Sequence, residues 1–306
     1  MLHHENRFFI VGAAKSGTTA ITAQLGRHPE VFISPMKESK YVSSQFLEYP
    51  LRGPGDEWVD TIAIRTRSEY DHLFRKAGEE KAIGEASVEN LYFYERAIPE
   101  IKRQFGDPRI VILLRNPIER AFSAYTHLRR DMRENLSFEA ALQEEEQRIK
   151  SNWDHIWFYK ASGLYAEQVK AYLESFSRVK VLILDDLKTH SSRFFRDLYQ
   201  FLGVDPDHPL NRIEVSNVSG VPKNPHLQKL FRPGRFYAKL YRTVVFRLGW
   251  SEDKILRFVE SVWKFNLKRI SMLPQTRAML GDFFARDIER LGSILDRDLS
   301  HWSAAR

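Results

Sequence analysis

The chain has 306 residues, 43% of them hydrophobic, enough for a sizeable core in one α/β domain that needs no covalent staples. It has no cysteine, which excludes disulfides, thiolate nucleophiles and Cys-ligated zinc together, and its ten histidines form no cluster at metal-ligand spacing, since His3 and His4 lack a third partner. The net charge of +7 is uneven: residues 221–272 hold twelve Lys or Arg against three acidic residues, a net +9, which predicts an anionic partner for that segment.

Residues 7–12 (RFFIVG) form an apolar run too short for a helix and predict a buried strand. The run continues into Gly-Ala-Ala-Lys-Ser-Gly-Thr-Thr. Gly12 suits a tight turn, and Gly17 lets backbone amides approach a ligand with no Cβ in the way. Thr18 and Thr19 then open a predicted helix over 18–25, whose unpaired amides and dipole favour an anion, and Lys15 adds a point charge. A Walker A loop places Lys after the second Gly, whereas here Lys15 precedes Gly17. Seven apolar residues running into Lys15 do not make a signal peptide, and no stretch approaches the roughly 20 apolar residues of a membrane helix. These features predict a soluble, cytoplasmic protein.

Further along, 48–60 is rich in Pro and Gly and predicts a loop, 82–87 (AIGEAS) is a weak strand, and 109–114 (RIVILL) is a strong one. That strand ends in Arg115, where an ATPase commonly carries an acid that helps to hold magnesium. A cation there repels a metal and attracts a phosphate. Asn116, Pro117 and Glu119 read as cap, first position and capping-box partner of a helix over 117–133. On it, Asn116, Glu119, Arg120, Ser123 and His127 share one face, so Arg115 and Ser123 can converge on one oxyanion. Helices follow over 137–150 and 163–176, the latter with an apolar face of Leu164, Val169, Tyr172, Leu173 and Phe176, and a strand over 179–184. Alternating strands and helices predict an α/β fold, a parallel sheet flanked by helices on both faces with a helical C-terminal extension. No linker divides the chain, so one domain is expected, with a core over about 5–225 and a helical part over about 226–306.

Taken together, AAKSGTTA, SPMKES, GEAS, RNPIERAFSAY, GLYAEQVKAYLESF, VKVLILDDL and FLGV resemble, in order over roughly 8–225, the sulfotransferases that use 3′-phosphoadenosine 5′-phosphosulfate (PAPS), in particular their bacterial and heparan-sulfate-like branch. FFARDIERLGSILDRDLSHW is similar to the C-terminal helix of bacterial members. The resemblance implies that the parallel sheet is P-loop-like, that Lys15, Ser16, Gly17, Thr18 and Thr19 hold the 5′-phosphosulfate and that Arg115 and Ser123 hold the 3′-phosphate. Lys223, in NVSGVPKNPHL, is the candidate for a further basic residue at the 3′-phosphate. Sulfuryl transfer builds negative charge on the departing phosphate, so Lys15 and the Thr18 and Thr19 amides are the expected stabilisers.

The acceptor must also lose a proton. Glu38, where the resemblance places a carboxylate, is the first candidate base, with Glu85 and His127 as alternatives; Glu38 also reads as a surface ion pair between Lys37 and Lys40. Family members often place two aromatics after this Glu, and here only Tyr41 follows.

The expected activity is metal-free sulfuryl transfer from PAPS to a hydroxyl, less often an amine, of a glycan, glycolipid or small metabolite. A P-loop kinase or NTPase is the alternative, as is a non-catalytic binder of adenosine bisphosphate or anionic glycan. No nucleic-acid motif accompanies the basicity. The aromatics interleaved with charge over 221–272 predict a helical subdomain core or, as a second reading, a peripheral membrane contact.

Overall fold

The computed structural model describes residues 6–210, 220–224 and 265–303. Five parallel strands, β1 (Arg7–Gly12), β2 (Val31–Ile33), β3 (Ala82–Ala86), β4 (Arg109–Leu114) and β5 (Val179–Ile183), form a sheet in the order β2-β3-β1-β4-β5. β1 is central because it pairs with β3 on one side (Phe8 opposite Gly84) and β4 on the other (Phe9 opposite Ile110). Its period-2 side chains feed two cores. Phe9 and Val11 join one, with Ile110, Ile112 and Leu114; Phe8 and Ile10 join the other, with Val111 and Leu113. Both faces are therefore covered, and each such side chain contributes about 1.5–3 kcal/mol by leaving water.

The helices α1 (Thr18–Leu25), α2 (Tyr41–Ser44), α3 (Glu57–Ile62), α4 (Arg67–His72), α5 (Tyr94–Phe105), α6 (Pro117–Arg130), α7 (Phe138–Gln143), α8 (Glu145–Lys150), α9 (Tyr165–Ser175), α10 (Leu184–Thr189), α11 (Ser191–Leu202) and α12 (Pro274–Leu295) connect and cover the strands. α1 begins and ends where its sequence predicts. Several other expectations change. The helix predicted over 137–150 is two, divided at Glu144, and the Glu145 carboxylate at the start of the second accepts from the Lys160 and Ala161 amides, at 2.6 and 2.8 Å. The loop predicted over 48–60 gives way to α3 at Glu57. On α9, Val169 and Tyr172 are buried as expected, but Leu173, and Leu164 just before the helix, are exposed.

Asn116 caps α6, its Oδ1 accepting from the Ile118 and Glu119 amides at 2.9 and 3.4 Å. Glu119 does not complete a capping box; its carboxylate takes Arg277 of α12 at 2.5 Å instead. α12 also caps α9 from outside, since Asp287 accepts from the Tyr165 and Ala166 amides at 2.7 and 3.2 Å. Removing a capping oxygen leaves helix-start amides unpaired, so Asp287→Ala should cost about 1–2 kcal/mol in urea unfolding. An unchanged midpoint would show that α12 does not brace this junction. Of the basic segment over 221–272, residues 225–264 lie outside the described residues, so the subdomain and membrane readings of that segment do too.

Candidate active site

A cleft of about 1030 Å³ opens beyond the C-terminal ends of β1 and β4. From β1 the chain moves to one side of the sheet and from β4 to the other, so these adjacent strands form the switch point at which open α/β sheets bind ligands.

The loop after β1 makes one wall. Gly17 has φ +91° and precedes α1, and no side chain caps that helix. The positive φ favours glycine there, while a Cβ would meet only the movable end of the Leu184 side chain, at 2.8 Å. Gly12 is needed for a different reason from the turn its sequence suggests: φ is not positive, but a Cβ would fall 2.4 Å from Leu91 Cβ. Lys15, Gly17, Thr18 and Thr19 line the cleft, whereas Ser16 is fully buried and does not. Burial, together with the nearby Arg130 charge, brings the Lys15 ammonium down to about 8.

Arg115, just past β4, and Ser123, on α6, line the same cleft. Arg115 Nη1 donates to the Lys15 carbonyl at 3.2 Å and so ties the two phosphate-type segments together. Its Nε is buried without a partner. Arg120, placed on the same helical face by sequence, is instead wholly buried and donates to the Phe158 and Tyr159 carbonyls.

Glu38 faces the cleft between Lys37, at 3.1 Å, and Lys40, at 3.7 Å. Burial pushes its carboxyl up, but Lys40 and then Lys37 outweigh this and bring it down to about 2. The pairing is more than a solvated ion pair, because Lys40 is buried and also holds Glu89 at 3.0 Å. Lys37 Nζ donates to Thr19 Oγ1 at 2.8 Å, joining this segment to the first loop.

The other two candidate bases fare differently. Glu85 lies inside β3, away from the cleft lining; burial raises it to about 7, and Ser39 Oγ donates to it at 2.6 Å. His127 lines the cleft, but Arg130 must be the donor in their 2.7 Å bond, so His127 Nδ1 accepts and its proton sits on Nε2, towards Asp131 at 3.6 Å. Burial and then the Lys15 charge push His127 down to about 3. Nδ1 is thus occupied and Nε2 carries the proton, so neither nitrogen offers a free lone pair. Among the described residues, Lys223 is not part of the cleft lining. Its ammonium donates to the Phe265 carbonyl at 2.9 Å and lies over the Phe265 ring.

Sequence reasoning missed Asp154 and His155, which line the cleft with a 2.8 Å bond from His155 Nδ1 to Asp154 Oδ1. The only sequence signal was an Asp-His pair among aromatics in NWDHIWF. Among the described residues, no group of three or more His, Asp or Glu is placed to hold a metal ion.

The sulfotransferase family model matches residues 7–208, and the chain belongs to that family. It is similar to a solved sulfotransferase from Alicyclobacillus acidocaldarius, with 34% identity, a TM-score of 0.77, and coverage of 99% of this chain and 100% of that one. It also matches the human bifunctional heparan sulfate N-deacetylase/N-sulfotransferase 2, at 26% identity over 65% of this chain and 22% of the relative. The Xenopus tropicalis N-deacetylase/N-sulfotransferase 1 matches at 23% identity, over 65% of this chain and 22% of the relative. The match therefore spans about a fifth of the length of these curated relatives.

Proposed function

We propose that this chain transfers a sulfuryl group from PAPS to a hydroxyl or amine of an acceptor such as a glycan, a glycolipid or a small metabolite. The observation that carries the reading is the pairing, within one cleft, of an uncapped helix start bearing Lys15 with a separate Arg115–Ser123 pair, locked together through the Lys15 carbonyl. A donor with phosphates at both ends of a nucleoside fits this arrangement. The α1 amides and Lys15 suit the 5′ end, and the partnerless Arg115 Nε and the Ser123 hydroxyl suit the 3′ end.

Bound there, the donor supplies an activated sulfuryl group with a phosphate as its leaving group. Lys15 and the Thr18 and Thr19 amides stand where negative charge develops, and Lys37, through Thr19, adds a second cation to that end. Gly17 allows the backbone to approach, and Ser16 is buried within the loop. Arg115 occupies the place where an acid would be needed to hold magnesium, so positive side chains meet the donor's charge. Glu38 belongs to the acceptor side, where its fixed negative charge orients the incoming O–H or N–H.

The printed activity of the curated relatives supports including a sugar amine among the acceptors. The test is mass spectrometry of products after incubating the protein with PAPS and a panel of hydroxylated and amino acceptors, with chelator present. Sulfurylated product is the expected result. Magnesium-dependent ATP hydrolysis with no sulfuryl transfer would favour an NTPase.

A further inference from the structure

Resting on the sulfotransferase reading, the geometry points to His155 as the group on which the acceptor's proton ends, with Asp154 as its positioning residue. The case starts from what the other cleft groups cannot do. Glu38, with its carboxyl near 2, holds a proton poorly between two lysines. His127 has one nitrogen accepting from Arg130 and the other facing Asp131. Glu85 lies within β3 and is not among the residues that line the cleft.

His155 is different. The residue is in the cleft lining though only 3% exposed, and its Nε2 is itself buried and has no hydrogen-bond partner among the described residues. A buried polar nitrogen without a partner is costly unless a ligand or water completes it. Asp154 explains how that nitrogen is kept ready. Burial raises the Asp154 carboxyl, but His155, Lys40 and Arg133 overcome this and hold it well below the usual carboxylate range. An ionised carboxylate can only accept, so Nδ1 carries a proton towards Asp154, and Nε2 is the ring nitrogen left to exchange one with a ligand.

The turn carrying the pair is firmly held. Asp56 accepts from the Asp154 amide at 2.8 Å and from Trp157 Nε1 at 3.1 Å, and Arg133 pairs with the same carboxylate. The Phe93 ring meets the imidazole edge-on, with centroids 6.4 Å apart. Such packing fixes ring direction without occupying Nε2.

In the step that follows, the acceptor oxygen forms its bond to sulfur while the bond from sulfur to the 5′-phosphate oxygen breaks, and that electron pair stays on the phosphate. The acceptor's proton moves to His155 Nε2, giving an imidazolium beside the Asp154 carboxylate. Release of the proton to water resets the ring. Glu38 then serves to orient the acceptor, and the base role expected for it from sequence passes to His155.

The experiment compares wild type with His155→Ala, His155→Gln and Asp154→Asn, using PAPS as donor and a de-N-sulfated heparin oligosaccharide and p-nitrophenyl glucoside as acceptor probes. Loss of a general base predicts a fall in kcat of about 100-fold or more for both His155 variants, with calorimetric affinity for 3′-phosphoadenosine 5′-phosphate (PAP) within about twofold of wild type. Added imidazole should restore about tenfold or more to His155→Ala, which a structural defect would not allow. Asp154→Asn should lower kcat and leave the acceptor KM nearly unchanged. A His155→Gln kcat within about threefold of wild type, or no imidazole rescue in a folded Ala variant, overturns the assignment. If wild type uses neither probe, the tautomer decides. In 15N NMR at alkaline pH, with the His155 signal assigned by its loss in His155→Gln, a protonated Nδ1 supports the assignment and a protonated Nε2 overturns it. A wild-type protein that binds no PAP refutes the donor reading, independently of what His155 does.

Discussion

Lys15→Met should abolish most sulfuryl transfer, lowering kcat by about 10²–10³-fold, or about 3–4 kcal/mol of transition-state stabilisation, while the ligand-free protein stays folded. The physical reason is that the ammonium is already costly where it stands. Burial and Arg130 bring it down to about 8, against an ordinary lysine value of 10.5. A group whose folded pKa is depressed in this way, for a base, is destabilising when protonated, so ligand-free stability falls as pH drops from about 10 through about 8. Methionine removes that burden, and unfolding midpoints of the variant should equal or exceed those of wild type near neutral pH.

An anion in the cleft reverses the preference and favours the protonated form. PAP affinity should therefore be greatest below about pH 8 and weaken as pH rises through that value, with Lys15→Arg flattening the dependence because guanidinium stays charged. Calorimetric titration across that window checks the sign. Affinity that increases with pH would place Lys15 away from the phosphate.

Arg115→Ala should have the second large effect, and it should be selective. Arg115 is assigned the 3′-phosphate and also holds the Lys15 carbonyl, with its Nε still free to donate. Losing a charge-assisted contact in a buried setting should weaken PAP binding by about 10²–10³-fold, about 3–4 kcal/mol. Adenosine 5′-phosphate, which lacks the 3′ group, should lose about tenfold or less, from the slackened loop alone. The preference for PAP over the monophosphate should thus largely vanish. Ser123→Ala should act in the same direction at about 1 kcal/mol. Equal losses for both nucleotides would mean that Arg115 only braces the Lys15 loop.

The strands over 7–12 and 109–114 were legible because burial on both faces writes a continuous apolar run into the sequence, and α1 was legible from Gly17 to Gly26. β2 was not, since Val31–Ile33 is three residues whose strand state depends on pairing with β3. The contact of the Glu145 carboxylate with the Lys160 and Ala161 amides, at the start of α8, is a long-range pairing that no local propensity encodes. The site divides along the same line. Lys15, Thr18, Thr19, Arg115 and Ser123 sit on two short segments whose spacing carries their geometry, and the cleft collects all five. Glu38 was legible through the resemblance, but its partners were not weighed as a network, because Lys40 meets Glu89 across the fold. His155 escaped notice because its meaning lies in an orphaned nitrogen and a neighbour's charge, and His127 drew attention because helical spacing put it on the right face. Lys223 was chosen from a loose correspondence, and the pairing of its strand β6 (Val221–Pro222) with β7 (Leu267–Lys268) ties it to Phe265 and Asn266.

The most direct test of the two-ended cradle is a crystal structure of the protein with PAP, grown in the presence of chelator. The 5′-phosphate should lie against the α1 amides and the Lys15 ammonium, with the 3′-phosphate between Arg115 and Ser123 and no metal needed to complete either end. PAP bound elsewhere, or bound with Lys15 and Arg115 turned away from its phosphates, would contradict the account.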